Sequence, residues 1–117
     1  MIINYTKNNL EMVRGDTLSF GIEIIDDSGH LVEADTIYFS CKKTPEDAEY
    51  LFQKSLEDGI SVSQTKPNSY VVRVAPEDTE DADLGVYNYD LEIGKNGDLF
   101  TILVGTLKII SDITRGE

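Results

Sequence analysis

The chain has 117 residues, which at about 150 residues per domain leaves room for one domain and no second one bearing its own site. Hydrophobic residues make up 40% and charged residues 27%, so it is a globular chain and not a disordered one. Its 22 acidic and 10 basic residues give a net charge of −12, which repels phosphate backbones and anionic lipid and argues against nucleic-acid and membrane partners.

No apolar stretch approaches the roughly 20 residues of a membrane-spanning helix. The first nine residues carry one lysine and no long apolar run, so they do not read as a signal peptide, and the expected site of synthesis is the cytoplasm. A single cysteine, Cys41, excludes an internal disulfide and most thiolate metal sites. A single histidine, His30, excludes histidine clusters.

In chain order, Leu18, Phe20, Ile22 and Ile24 alternate with Ser19, Gly21 and Glu23, a period of two that predicts a strand with one buried face. Asp26, Asp27, Ser28 and Gly29 end it as a turn. Ile37, Phe39 and Cys41 alternate in the same way. Thr44-Pro45-Glu46-Asp47 has the form of a short helical start, with Thr44 as N-cap and Pro45 at the first position. Residues 50–56 read as a strand or irregular edge, Asp58-Gly59 as a turn, and 60–64 as a short strand. Lys66-Pro67-Asn68 turns the chain again, and Tyr70, Val72 and Val74 form the next alternating run.

Tyr87, Tyr89, Leu91 and Ile93 form the fourth. Asn96-Gly97 is a strong hairpin-turn dipeptide, and the last strand spans about 99–110. That strand is apolar on both faces, with Gly105 suggesting a bulge or bend. Either the N-terminal strand around Ile2 and Ile3 covers its outer face, or another subunit does. Seven to nine short strands with little helix predict an all-β sandwich of antiparallel strands, one domain over 1–117 with a short tail at 112–117. Asp83-Leu84-Gly85-Val86-Tyr87 has the spacing of a tyrosine corner, in which the hydroxyl bonds back to nearby backbone, and this makes the sandwich immunoglobulin-like. Tyr89 occupies the place of the second cysteine of an antibody-type domain, and there is no tryptophan for the usual core.

No arrangement here points to catalysis, a cofactor or a small-molecule substrate. Arg14-Gly15-Asp16 spells an adhesion tripeptide but reads as a turn before the first long strand. Residues 77–83 hold five carboxylates without the spacing of a calcium loop, and read as a solvated loop with Asp78 or Thr79 capping a helical turn. Cys41 is in phase with the buried Ile37 and Phe39 and reads as core. Tyr38 is out of phase with those two. It and the expected outward side of the last strand, Phe100, Ile102 and Val104, are the candidate interface residues.

Met12-Val13-Arg14-Gly15-Asp16-Thr17 leading into 18–22, then Ala34-Asp35-Thr36-Ile37-Tyr38-Phe39, and later Gly85-Val86-Tyr87-Asn88-Tyr89-Asp90, resemble small structural proteins of tailed phages and prophages. In particular they resemble the N-terminal immunoglobulin-like domain of the phage baseplate upper protein. The resemblance covers residues 12–114 and its motifs are mostly structural. It implies a non-enzymatic virion component assembled by contacts with other virion proteins or further copies of itself. As a lone domain it would be a tail, baseplate or fibre accessory subunit. The competing expectation is a bacterial immunoglobulin-like binding or adhesion module.

Overall fold

The computed structural model describes residues 6–66 and 69–114. Ile2, Ile3, the Pro67-Asn68 turn and the end of the tail lie outside the described residues. Among the described residues nine strands follow in order: β1 (Thr6–Lys7), β2 (Leu10–Val13), β3 (Leu18–Glu23), β4 (Thr36–Lys42), β5 (Phe52–Leu56), β6 (Gly59–Val62), β7 (Ser69–Val74), β8 (Gly85–Lys95) and β9 (Asp98–Ile110). One helical turn, α1 (Pro76–Thr79), lies between β7 and β8.

The alternation read from the sequence sets the layers. One sheet is β5-β4-β8-β9, with β1 and then β2 following one another along the far edge of β9; the other is β6-β7-β3. They join at one edge, where β5 turns into β6, so the sandwich is closed on that side like part of a barrel. Ile37, Phe39 and Cys41 of β4, Tyr87, Tyr89, Leu91 and Ile93 of β8, and Val72 and Val74 of β7 are buried between the sheets. Phe39 is at the centre, fully buried, with ring centroids at 5.6 Å from Phe20, 5.8 Å from Phe52 and 5.3 Å from Tyr89.

Three pairings depart from the antiparallel expectation. β1 and β2 run parallel to β9, because the chain crosses to the other sheet at the Arg14-Gly15 turn instead of doubling back on β9. β5 and β6 are also parallel, over two residue pairs only. There the chain makes one tight turn through Glu57, at φ 67°, and continues in the same direction on the second sheet.

The long hairpin β8-β9 closes on Asn96 and Gly97, at φ 53° and 85°, the two positive values a type I′ turn demands. Its bulge is not at Gly105. Leu91 faces Leu103 but Glu92 faces Thr101, leaving Ile102 unpaired. The extra residue inverts the phase of β9. Phe100, opposite Ile93, and Leu103, opposite Leu91, are therefore both inward, which is why the strand is apolar on both of its sequence phases.

Gly105 serves another purpose. It lies opposite Tyr89, and a Cβ there would stand 1.6 Å from the Asn8 carbonyl oxygen. The chain between β1 and β2 turns that carbonyl inward, where it accepts a hydrogen bond from the Tyr89 hydroxyl at 2.6 Å. The Asn8 amide donates to the Val104 carbonyl, and Asn9 Oδ1 accepts from the Thr106 amide.

The tyrosine corner is present: the Tyr87 hydroxyl donates to the Asp83 carbonyl at 2.8 Å. No helix forms at Thr44; the helical turn at the acidic run spans 76–79 with Ala75 at its cap position, so Asp78 and Thr79 lie inside it. Thr44 and Asp47 do bond each other, amide and hydroxyl to carboxylate, but they close an isolated turn that no helix continues. In α1, Pro76 stands at the first position and Asp78 Oδ2 accepts from the Ala75 amide at 2.7 Å.

Two substitutions test these contacts. Tyr87→Phe should cost about 1 kcal/mol in urea unfolding, the net value of one part-buried hydrogen bond; unchanged stability would remove the corner as a stabilising element. Gly105→Ala should cost at least about 1–3 kcal/mol, because the displaced group is backbone, and should raise hydrogen exchange in β1 and β2 selectively.

Candidate functional site

The outward residues of β4, β8 and β9 fall into register as rows across the sheet. Val104, Asp90, Ser40 and Gln53 form one row; Thr106, Asn88 and Lys42 form the next; Glu92 and Tyr38 pair beyond them. Together with Pro45 and Tyr50 from the β4–β5 loop they line a concavity of about 700 Å³. Tyr38 and Tyr50 remain 39% and 47% exposed, large aromatic surface that the fold itself does not cover. Lys42 Nζ lies 4.9 Å from the Tyr50 ring centroid and holds that ring toward the sheet. Gln53 Nε2 donates to Ser40 Oγ at 2.9 Å, and Asn88 Nδ2 to the Lys43 carbonyl at 3.1 Å.

Asp90 lies in the middle of this surface. Burial raises its carboxyl above the ordinary 3.8, and the positive charge of Lys42 opposes part of that rise. A raised carboxyl pKa means that the folded chain holds this proton more tightly than the unfolded one. The associated stability is present below the unfolded pKa and lost as pH rises through the folded one. Asp90→Asn should therefore match the parent below about pH 3 and exceed it in stability at neutral pH, as read from urea midpoints across pH. A parent that loses stability relative to the variant on acidification would reverse this assignment.

The four interface candidates from the sequence do not share one surface. Tyr38 and Val104 line the concavity. Phe100 and Ile102 pack partly buried against the core, because the bulge at Ile102 turns the strand's phase. Asn88, Asp90, Glu92 and Tyr50 were not anticipated. The first three were visible as the out-of-phase positions of the β8 run; Tyr50 depends on a loop conformation that no periodicity encodes.

The other motifs have structural places. Arg14 Nη1 donates to the Ala82 carbonyl at 3.1 Å and the Gly15 amide to the buried Thr79 hydroxyl at 2.9 Å, so the tripeptide turn is packed against the α1 segment. Asp78 of the acidic run is bound to Lys54 Nζ at 2.7 Å across the join between the sheets. Among the described residues no group of three or more His, Cys, Asp or Glu side chains is placed to hold a metal ion. Cys41 is fully buried, and desolvation pushes its thiol up to about 12, far from a nucleophile's range. His30 is exposed in the 25–31 hairpin, with Asp26 Oδ1 at 3.9 Å.

No family model matches the chain, and no curated protein matches it in sequence. Solved structures do. A marsupial T cell receptor, 10% identical, aligns over 87% of this chain and 48% of its own at a TM-score of 0.54. An endo-fucoidan hydrolase of glycoside hydrolase family 107, 15% identical, aligns over 92% of this chain and 13% of its own at 0.49. The chain thus spans about half the length of the receptor chain and a small part of the hydrolase. With the strand order and tyrosine corner, the first likeness defines the protein as an all-β, immunoglobulin-like domain.

Proposed function

We propose that this domain is a non-enzymatic phage or prophage structural subunit, of the tail, baseplate or fibre assembly, that joins other virion proteins through its concave sheet face. The observation that carries the reading is that face: two exposed tyrosines over a row of charged and amide side chains, on a domain whose other polar motifs are tied into the fold. Rigid aromatic side chains ringed by hydrogen-bonding groups are the usual anchors of protein interfaces. The virion context is supported by the sequence resemblance at Gly15-Asp16-Thr17 and 85–90. Both segments lie at structural points of the fold, the β2–β3 crossover and the start of β8. A binding or adhesion module acting through the same tyrosines is the alternative.

Mass spectrometry of particles induced from the source bacterium tests the assignment. The chain should occur at a fixed copy number relative to the major capsid protein. Tyr38→Glu should change folding stability by no more than about 0.5 kcal/mol, as an exposed substitution. It should nevertheless lower the copy number several-fold. Wild-type incorporation of that variant would remove the concave face from the assembly contact. Absence of the parent chain from otherwise complete particles would overturn the virion reading and favour the adhesion module.

A further inference from the structure

The second sheet ends at β3, which pairs with β7 and, among the described residues, with no other strand. Its far edge therefore presents to solvent the backbone N–H and C=O groups of alternate residues, a ready template for a further strand. Natural edges of this kind are usually blunted by proline, lysine or a bulge. β3 has none of these: its sequence is Leu-Ser-Phe-Gly-Ile-Glu, its pairing with β7 runs without a register shift over all six residues, and its one charge, Glu23, is paired with Lys66. Leu18, Phe20 and Ile22 remain only partly buried at the margin of the core, at intervals of two residues.

We propose that this edge accepts an extended segment of a different protein as an additional strand. The backbone ladder sets the shape of the occupant. The half-covered side chains at 18, 20 and 22 set its pattern, an apolar residue at every second position on the core side. The charge of −12 selects its kind, because a second copy would bring a further −12 against this one, whereas a basic segment meets attraction. This surface lies on the opposite sheet from the tyrosine-bearing face and stands independently of the function assigned to that face.

The test is residue-resolved hydrogen exchange on the full chain. The probe is a blocked octapeptide of alternating valine and threonine between terminal lysines. In the free protein, alternate amides of 18–23 should exchange at close to unprotected rates while those bonded to β7 are protected. Saturating peptide should slow the free set at least about tenfold. The same peptide N-methylated at alternate amides should have no effect. Full protection of 18–23 in the free protein would show the edge already covered and overturn the proposal. So would protection that rises with protein concentration alone, which means self-pairing. Equal protection by the methylated peptide, or none by either peptide at millimolar concentration, would overturn it as well.

Discussion

The packing of Phe20, Phe52 and Tyr89 around Phe39 is the contact on which the rest of the structure depends. In antibody-type domains a tryptophan on the equivalent central strand rests on a disulfide that joins the two sheets. This chain has neither group. Phe39 takes the central place, Phe20 reaches it from the opposite sheet, and Tyr89 occupies the second cysteine's position. Each edge-on or tilted aromatic pair adds about 0.5–1.5 kcal/mol beyond the apolar area it buries. A covalent pin is thereby replaced by a cluster that needs no oxidising compartment. Because Phe39 and Tyr89 fix the inward phase of β4 and β8, they also fix which residues face outward: Tyr38, Ser40 and Lys42 on one strand, Asn88, Asp90 and Glu92 on the other.

Tyr89 links that cluster to the N-terminus. Its hydroxyl satisfies the inward Asn8 carbonyl, which Gly105 alone leaves room for. Loss of this part-buried bond would cost about 0.5–1.5 kcal/mol. One side chain thus packs the core at its ring and pays for the strand crossing at its tip. The ties at the other end are similar in kind. Tyr87 to Asp83, Arg14 to Ala82, Gly15 to Thr79 and Lys54 to Asp78 all converge on the α1 segment, so the carboxylate-rich 77–83 run is stitched to the β5-β4-β8-β9 sheet and to the β2–β3 turn.

Much of this was legible in the sequence, for identifiable reasons. The strands with one buried face, β3, β4, β7 and β8, showed their period because each side of the sheet meets a different solvent. The corner tyrosine and the Asn96-Gly97 turn showed because their backbone geometry restricts the residues that can supply it. What stayed hidden depended on distant partners. Nothing in Leu10–Val13 declares that its partner is β9 or that the pairing is parallel. The bulge at Ile102 has no glycine or other local mark, and without it Phe100 falls on the wrong side. Thr44 and Asp47 carry the signals of a helix start, but the chain beyond them lacks an apolar stripe to hold a helix down. The candidate face was half legible: Tyr38 stood out by phase, whereas Tyr50 required the loop and Lys42 to place it.

The position of Asp90 bears on why this face differs from ordinary surface. Its carboxylate is set between Val104 and Ser40 in the middle of a sheet, where burial opposes its charge and Lys42 offsets that only in part. A sequence shaped for stability alone would carry a neutral side chain there, since even partial desolvation of a charge lowers the stability of the folded state near neutral pH. Departures of this sort from the locally best residue concentrate where a surface has a further task. The neighbouring tyrosines fit the same account, being large and apolar at positions where the domain gains little by burying them.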